Sequence, residues 1–243
     1  MTDAIQRIIE RHGADAVCAA LAPLLTAERI ARIDQVLAAR LGSVVTVVED
    51  THDPRNAAAT IRTTEALGLG ELHVVEPAER FSVSGGVTLG AHKWIELHRW
   101  SSAEAAIGAL RARGFRVFAA VPGASRTIDE VDVNRPLALA FGNERAGLSP
   151  AAIAACDDDV GVPMFGFTES FNLSVTVALA MDRVAARRRA AIGALGDLDD
   201  RRRRELRARW FALKIRGVVG ILERALGGGA ATPGGAGTRQ PAE

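Results

Sequence analysis

Short apolar runs rich in β-branched residues recur through the middle of the chain, at 44–48 (VVTVV), 71–75 (ELHVV), 115–121 (FRVFAAV), 137–141 (LALAF) and 159–163 (DVGVP). Each has the length of a strand, and their near-continuous apolarity predicts burial on both faces. The segments between them carry helical signals. Asp53 and Pro54 can start a helix that carries Ile61, Ala66 and Leu67 and stops at Gly68, since a side-chain acceptor caps the first turn, proline fits the first helical position and glycine fits the left-handed stop. Segment 103–113 has the same form and stops at Gly114. Strands joined through helices predict an α/β fold: a mostly parallel sheet covered on both faces, with ligands where the strand carboxyl ends open into loops. The chemistry is therefore expected after 48, 121, 141 and 163.

The two ends read differently. Before Thr26 lies a helix-forming stretch broken at Gly13, and at 27–41 Ile30, Ile33, Leu37 and Leu41 recur at helical spacing behind Thr26 as N-cap. A further helical stretch, 203–226, carries Leu206, Trp210, Leu213, Val218, Ile221 and Leu222 on one stripe. The sequence GGGAATPGGAGTRQPAE that follows has too few apolar side chains to form a core, which predicts a disordered tail. The expected organisation is a helical extension over 1–42, an α/β domain over 43–192, a helical segment over 193–226 and a tail over 227–243.

Length and composition narrow the classes. With 243 residues, 48% apolar and 24% charged, the chain suits one ordinary domain with appendages, so wholesale disorder and a collagen-like repeat are excluded. No segment reaches the ~18 uncharged apolar residues of a spanning helix, and the start lacks a secretory signal's apolar block, so a cytoplasmic protein with no membrane partner is expected. Cys18 and Cys156 match no metal-ligand or redox spacing, and buried reduced thiols are expected. The net charge of +1 hides a run, 183–209, in which ten arginines face Asp197, Asp199, Asp200 and Glu205. Such a run is either a solvated helix face or a phosphate-binding patch for nucleic acid, with Arg201, Arg202, Arg203 and Arg204 the candidates for that contact.

Several common chemistries fail on spacing. Gly142 and Gly147 stand at P-loop spacing in GNERAGLS, but Leu148 occupies the position of the phosphate-binding lysine. No G-x-G-x-x-G follows the first strand. The five histidines form no H-E-x-x-H, and there is no G-x-S-x-G elbow, so metallohydrolase and serine-hydrolase readings fall and no metal is expected.

Three polar segments remain, each directly after a predicted strand: EDTHDPRNAAATIRT at 49–63, FGNERAGLS at 141–149 and VPMFGFTESFNLSVTVALA at 162–180. Singly their residues have plain readings: Asn56 as a cap or first-turn residue, Arg62 as a surface charge, Glu144 as a helix-start carboxylate, Ser170 and Asn172 as an N-cap region. Together, in order and character, they resemble the three motifs of the SPOUT-class RNA 2′-O-ribose methyltransferases, the TrmH subfamily of tRNA guanosine methyltransferases in particular. The likeness extends through RIDQVLAARLGSVVTVVED at 32–50, TTEALGLGELHVVEP at 63–77 and SGGVTLGAHKWIEL at 84–97, so it covers roughly 30–190.

The resemblance implies what the pattern alone does not: a carboxyl-terminal deep trefoil knot in the sheet domain, flanked by terminal helices, and a homodimer whose active site is shared. It implies S-adenosylmethionine held by the loop after Ala120, by Gly142, and by the segment running from Val162 and Met164 to Phe171. It places Arg62 at the ribose 2′-OH, Asn56 orienting Arg62 or the ribose, Glu144 fixing Arg62 or its loop, and Ser170 with Asn172 shaping the knot. Two departures stand out: the third motif reads Ser170-Phe171-Asn172-Leu173-Ser174 where S-L-N-V-S is usual, and Arg145 stands where a lysine is usual. The implied function is 2′-O-methylation of the D-loop guanosine, position 18, of tRNA. Ribosomal RNA methylation and non-catalytic RNA binding are the alternatives within the fold, and an unrelated metabolite-binding α/β protein is the alternative outside it. No separate RNA-binding domain precedes the motifs, which favours tRNA.

Overall fold

A computed structural model describes residues 2–51, 53–76, 88 and 90–227; the tail expected over 227–243 lies outside them apart from Gly227. The chain divides into two compact units, residues 35–199 and residues 1–34 with 200–243.

The larger unit is a six-stranded sheet with all neighbouring strands parallel, in the order β3-β2-β1-β5-β4-β6. Its strands are β1 (Val44–Glu49), β2 (Glu71–Val75), β3 (Glu96–Trp100), β4 (Arg116–Ala120), β5 (Leu137–Phe141) and β6 (Asp158–Val160). Central β1 and β5 are buried along their whole length, as their continuous apolarity predicts. In β5, Leu137, Leu139 and Phe141 point to one face while Ala138 and Ala140 point to the other. The large residues pack under α4 (Pro54–Ala66) and α7 (Leu173–Ile192), and the alanines let α5 (Ala103–Ala112) and α6 (Pro150–Ala155) approach the opposite face.

The helix signals act as the sequence predicts. Asp53 accepts a hydrogen bond from Arg55 N–H at 2.8 Å, Pro54 opens α4, and Gly68 follows its end at φ +72°. Ser102 caps α5, and Gly114 follows at φ +86°. Strand β3 is not among the predicted strands: its ELHRW sequence is polar because it forms a sheet edge, where only one neighbour and part of each face need apolar cover.

The smaller unit contains α1 (Thr2–His12), α2 (Ala14–Leu21), the start of α3 (Ala27–Ala38), α8 (Asp200–Ala212) and α9 (Val218–Gly227). Gly13 separates α1 from α2, and Thr26 Oγ1 caps α3 by accepting from Arg29 N–H. The stretch expected as one helix over 203–226 is two. Gly217 adopts φ +65°, and the turn lets Leu206, Trp210, Phe211, Val218 and Leu222 all reach the unit's core. Cys18 is buried in this unit, whereas Cys156, in the larger one, is half-buried; burial, reinforced by Asp157 and Glu49, pushes the Cys156 thiol up to about 12. No helix among the described residues is long and apolar enough to cross a membrane.

At the β2–β3 edge, Glu71 receives both guanidinium arms of Arg113, at 2.8 and 2.9 Å, and the ring Nε2 of His73 at 3.3 Å. Burial works to raise the Glu71 pKa, but the hydrogen bonds from His73 and Arg113 outweigh it and bring it from 4.5 to about 2. A depressed folded-state pKa gives stability that is present above the unfolded value and lost as pH falls through the folded one. Glu71→Gln should therefore lose stability at neutral pH and flatten the pH dependence of unfolding between about 4.5 and 2, as denaturant titrations across that range will show.

Candidate functional site

Because the strands are parallel, their carboxyl ends share one edge of the sheet, and the loops leaving β4, β5 and β6 surround a cavity of about 330 Å³ there. Of the residues singled out in the sequence, Ala120, Gly142, Glu144, Val162, Met164, Ser170 and Phe171 all line it. The second and third motif segments meet around it, and the first, which contributes no lining residue, joins the second through Asn56.

The loop after β5 is the most constrained part. Asn143 and Gly147 exchange backbone hydrogen bonds at 3.2 and 3.1 Å, and Asn143 Oδ1 accepts from the N–H groups of Arg145 and Ala146. A β-carbon on Gly142 would lie 1.8 Å from the carbonyl carbon of Gly147 and 2.0 Å from the nitrogen of Leu148. Only glycine fits. Leu148, at the position that excludes a P-loop, is buried against Ala152 and the α5 side of the sheet. The loop thus turns Glu144 and Arg145 outward to line the cavity.

Asn56, buried in the first turn of α4, donates from its side-chain amide to Glu144, which ties the first motif to the second. Asn172 is the N-cap of α7: its Oδ1 accepts from Ser174 N–H at 2.9 Å and Ser174 Oγ at 2.7 Å. It shapes the end of the third motif without lining the cavity. Arg62 differs from the others. It is exposed on α4 and does not line the cavity of its own chain.

The loop after β4 is stitched to the third motif by Ile128 N–H to Gly161 O at 2.8 Å and Gly161 N–H to Arg126 O at 2.9 Å. Gly161 and Thr176, which also line the cavity, carry no sequence signal of their own: a glycine in a strand end and a threonine on a helix are too common. Elsewhere, Glu71, His73 and His98 stand close enough together to share an ion, but at the β2–β3 edge rather than at the cavity. Trp100 Nε1–H donates to His73 Nδ1 at 3.0 Å, so the His73 proton is on Nε2, facing Glu71, and neither nitrogen has a lone pair free for a metal.

Residues 43–182 match the model of the SpoU rRNA Methylase family. The chain belongs to that family. A tRNA (guanosine(18)-2′-O)-methyltransferase of Borreliella burgdorferi is 36% identical over 193 residues, spanning 79% of this chain and 88% of that protein. The crystal structure of the A. aeolicus TrmH/SpoU tRNA modifying enzyme superposes with a TM-score of 0.69 at 25% identity, covering 76% of this chain and 95% of its own. An AdoMet-bound rRNA methyltransferase from Sinorhizobium meliloti superposes with a TM-score of 0.56 at 26% identity, over 61% of this chain and 57% of that one. The SpoU match begins at Ser43, one residue before β1, and ends within α7, so it takes in the whole sheet and the cavity.

The backbone crossing makes a direct prediction. Gly142→Ala should destabilise the larger unit by at least the ~1–3 kcal/mol of an overpacked core, because both atoms it meets are main chain and cannot rotate away. Denaturant unfolding of the variant beside the parent measures this.

Proposed function

We propose that this protein transfers a methyl group from S-adenosylmethionine to the ribose 2′-OH of a tRNA guanosine, the D-loop position 18. The observation that carries the reading is the convergence of the second and third motif segments on one cavity, with the first tied to its rim by the Asn56–Glu144 hydrogen bond. Sequence likeness to a tRNA (guanosine(18)-2′-O)-methyltransferase over 88% of that protein favours tRNA, since the rRNA methyltransferase match covers 57% of its own chain. In domain terms, 43–192 would be the methyltransferase domain, 1–42 and 193–226 its helical extensions, and 227–243 a tail.

The cavity fits such a cofactor in size and lining. Its volume lies within the ~300–1,000 Å³ of small-molecule sites. Apolar Val162, Met164 and Phe171 line it together with Ala120 and Gly142, which suits a purine-bearing ligand held mainly through peptide groups. When bound, S-adenosylmethionine supplies an electrophilic methyl group on a sulfonium, and the reaction asks for no metal. The chain's residues must then align the 2′-OH and stabilise the charge that grows on its oxygen. Arg62 is assigned to that oxygen as an electrostatic stabiliser, because a guanidinium stays protonated in proteins. Asn56 and Glu144, bonded to each other, position the rim of the site, and Ser170 and Asn172 shape the third loop.

A knot and a dimer complete the reading. After β6 at the sheet edge, segment 161–172 leads back to α7, which packs against α4 and β1 in the middle of the sheet; a trefoil knot would make that return by threading the loop after β4. One face of α7 is buried through Val177, Ala180, Met181 and Val184, while Val175 and Leu179 are exposed on another, as a homodimer contact requires. A site shared between subunits also accounts for Arg62, exposed outside its own chain's cavity. A tRNA substrate supports the expectation of a cytoplasmic protein.

Arg62→Ala should abolish methyl transfer while leaving S-adenosylmethionine affinity nearly intact, because Arg62 does not line the cavity; single-turnover assays beside calorimetric titration separate the two. Near-normal turnover would remove Arg62 from the mechanism.

Arg201, Arg202, Arg203 and Arg204 are assigned to phosphate contact, Arg201 being the most exposed of them. Each also stands near a carboxylate: Glu205 for Arg201 and Arg202, Asp200 for Arg203 and Asp15 for Arg204. Surface pairs of this kind contribute little and exchange readily for phosphate. Changing all four to glutamine should weaken tRNA binding and flatten the slope of log K against log salt by roughly two to four, measured by filter binding. An unchanged slope would leave these arginines as a solvated helix face.

A further inference from the structure

We propose that Glu49 is a positioning residue that clamps the loop after β5 in the shape the cavity needs. Glu49 ends β1 and is buried, 7% exposed. Its two carboxylate oxygens are used on one residue far along the chain: Oε2 accepts from Ser149 N–H at 2.8 Å and Oε1 from Ser149 Oγ–H at 2.8 Å. Ser149 Oγ in turn accepts from Ala152 N–H at 3.1 Å, capping α6. The hydroxyl proton therefore goes to Glu49 and its lone pair to the helix. No cation pairs with the carboxylate among the described residues, so its burial is offset by these two hydrogen bonds.

The consequence is geometric. The loop 142–148 leaves the sheet at Phe141, which lies beside Val48 in the β1–β5 ladder, and it ends at Ser149, which is held by Glu49. Two consecutive residues of β1 thus fix both ends of the loop. Between those ends the Gly142–Gly147 crossing leaves no slack, and Glu144 must meet Asn56 on α4. If Ser149 drifts, the crossing and the Asn56–Glu144 bond shift with it. A carboxylate serves because it presents two acceptors side by side to an N–H and an O–H on the same residue; the clamp requires both that pair of acceptors and the length of the glutamate side chain.

This inference rests on the reading of the cavity as a cofactor site, and the test keeps the two apart. Glu49→Gln retains the reach and one of the two acceptors while setting an amide donor against Ser149, Glu49→Asp retains both acceptors and loses the reach, and Glu49→Ala loses both. Titration with S-adenosylhomocysteine should show roughly tenfold or weaker affinity for Glu49→Ala and Glu49→Asp, and a smaller loss for Glu49→Gln, since small misplacements at such sites are costly. Ser102→Ala, which removes the cap of α5 outside the cavity, supplies the purely structural reference: lower stability with unchanged affinity. Amide hydrogen exchange of residues 142–148 in the cofactor-free protein should speed up in Glu49→Ala and Glu49→Asp and less so in Glu49→Gln. Affinity in Glu49→Ala equal to the parent, or a Glu49→Gln variant as weak as Glu49→Ala, would overturn the clamp. A parent protein that binds no S-adenosylhomocysteine refutes the methyl-transfer reading, whereas unaltered exchange in Glu49→Ala refutes the clamp itself.

Discussion

The backbone of Gly142 passes so close to that of Gly147 that no side chain fits between them, and the site is organised around that contact. On one side of it β5 is buried on both faces and cannot move; on the other, Leu148 is sunk into the core. A loop pinned this way has one direction left for its polar side chains. Asn143 satisfies the loop's own amides, and it lines the cavity together with Glu144 and Arg145. The rigidity is of the kind that electrostatic catalysis needs, because groups already held in place need no reorganisation when charge develops.

Charge is distributed by the fold in a way that the linear run of arginines conceals. Of the ten between 183 and 209, those on α7 are spent within the larger unit. Arg183 pairs with Asp129, and Arg187 donates to the carbonyls of Ile128 and Val131. Arg188 bonds Ser43 and the Val133 carbonyl beside Asp197, and Arg189 bonds the carbonyls of Leu67 and Leu195. In the smaller unit Arg207 lies against Asp34 at 2.6 and 2.9 Å and over the Phe211 ring. Counting acids within the run misses Asp129, Asp15 and Asp34, which come from distant segments. A block of like charge in sequence is thereby two sets of paired and capping groups, and the outer arginines of α8 stand beside Glu205, Asp200 and Asp15.

The sheet was legible wherever burial on two faces forces continuous apolarity, and illegible at its edge. VVTVV and LALAF declare themselves, while ELHRW, with one strand neighbour, has a composition that suits a loop equally well. Helix ends were legible where a single residue decides them, as at Asp53, Ser102, Gly68 and Gly114. The break at Gly217 was not, because an apolar stripe continues across it and a glycine in a helix-like pattern signals weakly. The candidate site was legible as three resembling segments, but the bonds that join them were not. Glu49 and Ser149 are a hundred residues apart, and nothing in either stretch announces the other.

What brings them together is register. Val48 pairs with Phe141 in a parallel ladder, so the residues that follow each strand leave the sheet at the same height, and Glu49 and Asn56 arrive beside Ser149 and Glu144 as a matter of topology. The same geometry carries Arg62 away. Helix α4 leads back toward the amino ends of the strands, and six residues at about 1.5 Å each put Arg62 roughly 9 Å along the axis from Asn56. Its position around the helix, exposed while Ile61 and Thr64 are buried, turns it outward as well. A residue so placed acts most directly on a substrate presented by another surface, which is why the site we propose is one that two copies share rather than one closed within a single chain.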